Sequence, residues 1–282
     1  MSHILVVEDT DSQREGLRLL LERAGYQVTC AVDGVHGLEV LHGGQFDLML
    51  VDVWMPRMNG IELLAQLRTQ EKKPRVIVMT ADDTPETLLE AIREQAFQYI
   101  AKPLDMKKLM DMVKAALEAP EERPIEVVSA LPNWVELLVP CQLGAGERVQ
   151  GFLAQLKTDL PADVRASVSK AFREVLNNAI EWGGKLDPTK DVRIRFLRTS
   201  RFILYHITDP GTGFRWEEIP HAALANPPEH PLQHARVRKA SGMRPGGFGI
   251  MVAQQLADEV FYNEQQNEVV IVKYLDEAAS KA

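Results

Sequence analysis

The segment LMLVDVWMPRMNG, residues 48–60, contains a short apolar run that ends at an aspartate and leads into a turn with proline and glycine. The run Leu48–Val51 has the length and composition of a buried strand. Pro56 does not continue a regular element, and Gly60 begins the amphipathic segment that follows. Asp52 is therefore predicted to lie at the carboxyl end of a strand, where α/β proteins place their functional side chains.

The same alternation of an apolar run and an amphipathic segment occurs five times in the first 118 residues. It predicts strands over Ile4–Val7, Tyr26–Cys30, Leu48–Val51, Val76–Met79 and Gln98–Ile100. It predicts helices over Gln13–Ala24, Gly34–Leu41, Gly60–Thr69, Thr84–Glu94 and Asp105–Leu117. This order indicates a doubly wound α/β domain with a five-stranded parallel sheet, which we assign to residues 1–118.

Chemically active side chains stand at the ends of four predicted strands, namely Glu8, Asp9, Asp52, Thr80 and Lys102. Three carboxylates brought together repel one another unless a hard cation lies among them, and Mg²⁺ is the natural choice. Lys102 and the Thr80 hydroxyl are suited to bind the oxygens of a phosphoryl group. Asp52 is therefore predicted to be a nucleophile that becomes an aspartyl phosphate.

These residues and their surroundings resemble a response-regulator receiver domain over residues 1–117. The matching stretches are ED at 8–9, VDVWMPRMNG at 51–60, TA at 80–81 and YIAKP at 99–103. The resemblance implies Mg²⁺ binding by Glu8, Asp9, Asp52 and the backbone carbonyl of Trp54, with a cognate histidine kinase as phosphodonor. It also implies that Tyr99 is a switch residue, which turns inward as Thr80 moves toward the phosphoryl group.

The pattern changes after residue 118, where Pro120, Pro124 and Pro132 interrupt a charged stretch. We assign residues 119–132 to a linker, although 125–128 has the composition of a short strand. Residues 133–276 are predicted to form an α+β sandwich, and residues 277–282 a tail. The sandwich is predicted to contain strands over Trp134–Val139, Val192–Leu197, Phe202–Thr208, Glu259–Tyr262 and Glu268–Tyr274, and helices over Gly146–Thr158, Pro161–Trp182 and Gly247–Asp258.

Two polar side chains share one face of the longest predicted helix. Glu174 and Asn178 are four residues apart, so they stack one turn above the other. A carboxylate and an amide at this spacing can hold a hydroxyl group and a Mg²⁺ ion at once.

Two glycine-containing turns follow further along the chain. Asp209 ends a strand and precedes Gly211 and Gly213, whose backbone can approach a flat ligand closely. The carboxylate of Asp209 can accept a hydrogen bond from an exocyclic amine such as that of adenine. A second group of glycines, Gly246, Gly247 and Gly249, opens the last helix, where bare amides favour phosphate.

Residues from about 133 to 274 resemble the Bergerat-fold ATPases, a family that includes histidine kinases, gyrase and anti-sigma-factor serine kinases. The stretches REVLNNAI at 173–180, DPGTG at 209–213 and RPGGFGI at 244–250 carry the resemblance, which is closest to the anti-sigma branch. It implies that ATP is bound by Asn178, Asp209, Gly211, Gly213, Gly246, Gly247 and Gly249. It further implies that Asn178 binds Mg²⁺ and that Glu174 is the general base.

Between the two glycine groups, Gly211–Pro245 is predicted to be a long irregular segment rich in Pro, His and Arg. Its histidines, His221, His230 and His234, lack the spacing of a zinc site and are expected at the surface.

Composition narrows the functional classes. The 282 residues suffice for two domains, and the formal net charge of −8 argues against nucleic acid as a partner. No apolar run is long enough to cross a membrane, and the N-terminus lacks the features of a signal peptide, so a cytoplasmic protein is expected.

The two resemblances together predict a two-component signalling protein in which phosphorylation of Asp52 controls an ATP-dependent module. Three interpretations stay open: a serine/threonine kinase or anti-sigma module that acts on an anti-anti-sigma-like or sigma-like protein, a non-catalytic ATP-gated binding module, and a kinase acting on a histidine of another protein. Autophosphorylation on a histidine hairpin is not expected, because no histidine lies between His42 and His206. Homodimerisation is left open.

Overall fold

The computed structural model describes residues 1–68, 70, 73–81, 84–120, 122–131, 133–156, 160–215, 222–223, 226, 229–240 and 247–275. The chain divides into two compact units, Met1–Glu121 and Glu122–Ala282. Among the described residues, none of the helices combines the length and the apolar character that a membrane span requires.

The first unit is a five-stranded parallel sheet with helices between successive strands, which confirms the predicted α/β class. Its strands are β1 (His3–Val7), β2 (Gln27–Ala31), β3 (Leu48–Asp52), β4 (Arg75–Thr80) and β5 (Gln98–Ala101), in the order β2-β1-β3-β4-β5. Its helices are α1 (Asp11–Arg23), α2 (Gly34–Gly43), α3 (Gly60–Leu67), α4 (Pro85–Arg93) and α5 (Met106–Glu118). Each predicted element is present, with bounds that differ by one or two residues.

Burial and helix capping explain this agreement. Every residue of β3 is buried, as expected of a central strand covered on both faces. Asp33 and Asp105 accept hydrogen bonds at the first turns of α2 and α5. Asn59 and Glu62 form a reciprocal capping box at the start of α3. The loops at the carboxyl edge of the sheet are therefore fixed by the caps that follow them.

The second unit is a six-stranded antiparallel sheet with helices on one face, which confirms the predicted α+β class. Its strands are β6 (Glu126–Leu131), β7 (Trp134–Pro140), β8 (Asp191–Arg198), β9 (Phe202–Thr208), β10 (Glu259–Tyr262) and β11 (Glu268–Tyr274), in the order β10-β11-β9-β8-β7-β6. Its helices are α6 (Leu143–Gln155), α7 (Ala162–Asn178), α8 (Gln233–Ala240) and α9 (Gly249–Leu256), and a π-helical turn, Ala179–Gly183, follows α7.

One face of this sheet forms the core of the second unit. Alternate residues of β8 and β9 are buried, so each strand turns one side toward the helices. The rings of Phe172 on α7 and Tyr205 on β9 pack with their centroids 4.4 Å apart, which shows that α7 covers this face.

The linker predicted over residues 119–132 is corrected by the structure. Residues 126–131 form β6, the edge strand that pairs with β7, with a register shift between Val127 and Ser129. Glu122 forms an ion pair with Arg148 of α6, and both side chains are more than nine-tenths buried. Pro124 and Pro132 flank this strand, and they favoured the prediction of a linker. The strand forms by pairing with β7, which its own sequence does not reveal.

The predicted irregular segment 211–245 contains a helix, α8, whose polar sequence gave no apolar period. Its residue His234 is buried rather than exposed, which corrects the surface assignment. The His234 backbone N–H donates to Oδ1 of Asn226 at 2.8 Å, and its ring contacts Phe248 edge-on. His221 lies outside the described residues.

Candidate functional sites

The acidic cluster of the first unit forms where β1 and β3 end side by side. Val7 pairs with Val51 in the parallel register, so Glu8 and Asp52 follow at the same level of the sheet. Carboxylate oxygens of Glu8, Asp9 and Asp52 lie within 4.8 Å of one another. Glu8 and Asp52 are buried and Asp9 is exposed, so the cluster opens to solvent on one side.

Lys102 places a positively charged side chain beside these carboxylates. Its ammonium nitrogen lies 2.7 Å from Oδ2 of Asp52 and 2.8 Å from Oε2 of Glu8. Burial works to lower the pKa of Lys102, but the hydrogen bonds with Asp52 and Glu8 outweigh it and raise the pKa. Lys102 is therefore held charged beside Asp52.

The residues present fit a Mg²⁺ ion. Three carboxylates share one small, partly open space, which is the oxygen-rich donor set that a hard divalent cation prefers. The backbone N–H of Trp54 lies 3.4 Å from Oδ1 of Asp52, which places the neighbouring loop against the cluster. The Trp54 side chain is exposed.

Thr80 and Tyr99 lie on the neighbouring strands β4 and β5. The Thr80 backbone carbonyl accepts a hydrogen bond from the Lys102 N–H at 2.7 Å, which joins Thr80 to Lys102. Thr80 is completely buried and Tyr99 is 4% exposed, so both lie inside the domain. Thr80 is the last residue of β4, at the strand end that the sequence predicted, whereas Tyr99 lies within β5.

The second unit contains a cavity of about 770 Å³ between α7, α9 and the ends of β9 and β11. This volume is within the range of about 300–1,000 Å³ that small-molecule sites occupy. The lining includes the predicted nucleotide-site residues Glu174, Asn178, Asp209, Gly211, Gly213, Gly247 and Gly249. Gly246 lies outside the described residues.

Glu174 and Asn178 face the start of α9. A Cβ atom built on Gly249 would lie 3.2 Å from Oε2 of Glu174 and 3.2 Å from Nδ2 of Asn178. Gly249 therefore sits against both polar groups, and a larger residue would crowd them. The structure thus joins two separate sequence motifs into one polar wall.

Asp209 lies at the other side of the cavity, at the end of β9. Its Oδ1 accepts a hydrogen bond from the Gly211 N–H at 2.8 Å. Burial raises the pKa of Asp209 to about 6, and the hydrogen bond from Gly211 opposes that rise only in part. Gly213 has a left-handed φ of 77° and packs against the backbone carbonyl of Gln265, where a side chain would overlap.

The residues present also fit a nucleotide. A half-buried carboxylate that can accept from an exocyclic amine, glycines that admit close approach, and an amide beside a carboxylate all line one cavity. Asp209 would hold the base, and Asn178 the metal that accompanies the phosphates.

Sequence reasoning missed several residues of this cavity. Gly183 lies against Asp209, and the turn between β10 and β11 contributes Gln266 and Asn267. Trp182, Lys185 and Lys190 also line the cavity. Trp182, Gly183, Lys185 and Lys190 come after the motif that contains Glu174 and Asn178, and Gln266 and Asn267 stand in an ordinary hairpin turn. No sequence pattern therefore marks these residues as part of a cavity.

Two family models match this chain in tandem. Residues 4–114 match the response regulator receiver domain, and residues 142–273 match the histidine kinase-like ATPase domain. The chain therefore carries a receiver domain followed by a histidine kinase-like ATPase domain, as the sequence motifs predicted.

Individual relatives cover only part of the chain. YkoG of Bacillus subtilis, an uncharacterized transcriptional regulatory protein, is 36% identical over 115 residues, which are 41% of this chain and 50% of YkoG. The transcriptional regulatory protein CseB of Streptomyces avermitilis is 33% identical over 135 residues, 46% of this chain and 57% of CseB. Both matches span about half the length of the relative.

A solved structure is similar over a comparable share of the chain. The response regulator TrrA of Thermotoga maritima, determined in complex with Mg²⁺ and BeF, is 31% identical. The match covers 42% of this chain and 100% of TrrA, with a TM-score of 0.39.

Proposed function

We propose that this chain, which joins a response regulator receiver domain to a histidine kinase-like ATPase domain, is a protein kinase controlled by phosphorylation of Asp52. The ATPase domain would transfer a phosphoryl group to a serine or threonine of a separate anti-anti-sigma-like protein, or sequester a sigma-like protein. The phosphodonor of the receiver would be a cognate histidine kinase in the cytoplasm.

The receiver residues support the first step. An Asp52 oxygen forms a bond to phosphorus while the bond from phosphorus to the donor's histidine nitrogen breaks. Lys102, held 2.7 Å from Asp52, balances the charge on the phosphoryl oxygens, and the Thr80 hydroxyl donates a hydrogen bond to them. Glu8, Asp9, Asp52 and the Trp54 carbonyl would hold Mg²⁺, which would supply further charge neutralisation.

The single observation that carries the kinase proposal is the position of Glu174. A site that only binds ATP needs no base, yet Glu174 lines the cavity beside Asn178 and faces Gly249. Glu174 accepts the proton of the acceptor hydroxyl as that oxygen attacks phosphorus. Asn178 would hold Mg²⁺, and Asp209 accepts a hydrogen bond from the adenine amine.

The test is incubation of the full chain with labelled ATP and candidate anti-anti-sigma proteins, before and after treatment with acetyl phosphate. We expect label on a serine or threonine of one candidate, at a rate that changes with acetyl phosphate. Asp52→Asn should abolish both receiver labelling and that change, whereas Asp111→Asn, at an exposed carboxylate of α5, should preserve them. ATP binding without transfer to any candidate would favour the non-catalytic binding module, and label on a partner's histidine would favour the third interpretation.

A further inference from the structure

The turn between β10 and β11 contains a residue in a strained backbone conformation at the nucleotide cavity. Gln266 has a φ of 61°, in the left-handed region that residues other than glycine rarely adopt. Gln266 also lines the cavity, together with its neighbour Asn267. Strained residues persist where the surrounding structure holds them, and such positions are frequent at ligand sites.

Asn263 holds this turn in place. Its Oδ1 accepts hydrogen bonds from the backbone N–H groups of Asn267 at 3.0 Å and Glu268 at 3.1 Å. Its backbone carbonyl accepts from the Gln266 N–H at 3.1 Å. The backbone of Gln266 is therefore fixed before any ligand arrives.

The same turn is joined directly to the Asp209 turn. The Asp209 N–H donates to the backbone carbonyl of Asn267 at 2.9 Å, and Nδ2 of Asn267 donates to the Gly211 carbonyl at 3.3 Å. Gln266 precedes Asn267 in the chain, so it stands beside the group that would recognise the base rather than at the phosphate end, where Asn178 lies.

The side-chain amide of Gln266 has an unused acceptor. Its Oε1 is buried and has no hydrogen-bond partner within the part of the chain that the structure describes. Native proteins pair nearly all buried polar atoms, so an unpaired acceptor on a residue that lines the cavity is suited to a donor from a ligand.

We propose that Gln266 is a second base-recognition residue, whose Oε1 accepts an N–H of the exocyclic amine at purine position 6. This inference rests on the proposed ATP site. Asp209 accepts one hydrogen of the amine and Gln266 the other, so the pair selects a 6-aminopurine over a purine that lacks the amine. A base without that amine offers no donor to either group and leaves the buried Oε1 of Gln266 unpaired, which disfavours that base.

The test compares two nucleotides with Mg²⁺ by calorimetry on the full chain: ATP, and purine riboside triphosphate, which lacks the amine. Gln266→Met keeps the size of the side chain and removes its acceptor. We expect it to weaken ATP binding by roughly 2–12-fold, the range for one neutral hydrogen bond, and to leave purine riboside triphosphate binding unchanged. Gln265→Met is the matched control, because the Gln265 side chain is exposed.

A second variant tests whether the effect of Gln266→Met comes from loss of the amide or from a disturbed fold. Gln266→Gly removes the amide and suits the left-handed backbone, so it should show the same selective loss in a well-folded protein. Equal losses for both nucleotides, or no loss for ATP, would overturn the role of Gln266 alone. Failure of the wild-type protein to bind either nucleotide would overturn the proposed function, and this inference with it.

Discussion

The carboxyl group of Asp209 lies directly against the α-carbon of Gly183, and a methyl group at that position would overlap its Cγ atom. Gly183 ends the π-helical turn that follows Asn178, whereas Asp209 directly follows β9. This contact joins the helix that carries Glu174 and Asn178 to the turn that would hold adenine. A glycine outside the recognised motifs therefore allows these two sides of the cavity to approach each other.

Gly183→Ala should displace Asp209 and weaken ATP binding, because the added methyl group overlaps the carboxyl group. We expect the loss to approach that of Asp209→Ala, roughly 10–150-fold for one hydrogen bond to a charged group. Overpacking should also cost about 1–3 kcal/mol of stability. Calorimetry on the two single variants and the double variant checks this explanation. The double variant should lose no more affinity than Asp209→Ala, and losses that multiply would contradict it.

Asp209→Asn should raise the stability of the folded protein although it weakens ATP binding. Burial raises the pKa of Asp209 from 3.8 to about 6, so the folded protein holds this proton more tightly than the unfolded chain does. Asp209 therefore lowers stability as the pH rises from about 3.8 to 6, and the penalty remains above pH 6. The variant should be more stable than wild type at pH 7.5 and nearly equal at pH 4, by urea denaturation.

The same variant should bind ATP less tightly, since a neutral amide replaces the charged acceptor. Wild-type binding should also weaken below pH 6, where Asp209 becomes protonated, while binding by Asp209→Asn should vary less with pH. Unchanged affinity in the variant at neutral pH would remove Asp209 from the base site.

Glu174 and Asn178 should affect different steps although they share one wall of the cavity. Glu174→Ala should leave ATP affinity nearly intact and slow phosphotransfer by roughly 10²–10⁴-fold, as expected for loss of a general base. Asn178→Ala should lose Mg²⁺-dependent ATP binding. Glu147→Ala, at an exposed position of α6, is the control. If the Glu174 and Asn178 variants behave alike and no partner is phosphorylated, the non-catalytic interpretation is correct.

The loop after Asp52 is tied to α2 by an ion pair between Arg57 and Asp33. Nε of Arg57 donates to Oδ2 of Asp33 at 2.7 Å, and the Asp33 side chain is 5% exposed. Burial works to raise the pKa of Asp33, but hydrogen bonds from the His36 N–H and Arg57 outweigh it and lower the pKa. This pair stabilises the fold above the ordinary pKa of 3.8, and the contribution is lost as the pH falls through the lower folded value.

Arg57→Ala should therefore cost about 1–3 kcal/mol at pH 7, because it removes a charged partner from a buried carboxylate, and less at pH 3. Arg57 has a φ of 67°, so Arg57→Gly loses the same ion pair but relieves the strained backbone. Urea denaturation should show the glycine variant more stable than the alanine variant by about 1 kcal/mol. Equal stabilities of the two variants would argue against strain at this residue.

Phosphorylation of Asp52 should change the properties of the ATPase domain. Coupling free energies between sites are typically about 1–3 kcal/mol, so ATP or partner affinity should shift by roughly 5–150-fold when Asp52 carries beryllofluoride. Tyr99→Ala should reduce this shift while Asp52 labelling continues, if the Tyr99 ring is the switch residue that follows Thr80, as we propose. Equal affinities with and without beryllofluoride would mean that the two domains are only tethered.

The sequence alone determined the elements of the first unit and the identity of its acidic cluster. Strand and helix periods are local properties, and the carboxyl ends of parallel strands meet at one edge of a sheet. Glu8, Asp52 and Lys102 could therefore be placed together without coordinates. In the second unit the same reasoning found Asp209 at a strand end and the Glu174–Asn178 spacing on a helix.

Only the tertiary structure decided which parts of the chain complete the proposed nucleotide cavity. Gly183 acquires its role from Asp209, 26 positions further on, and Gln266 acquires its role from a turn fixed by Asn263 and Asn267. The edge strand β6 likewise exists because β7 offers its backbone groups for pairing. Each of these features depends on steric fit or hydrogen bonding between separate segments, and such complementarity leaves no period in the sequence of either segment.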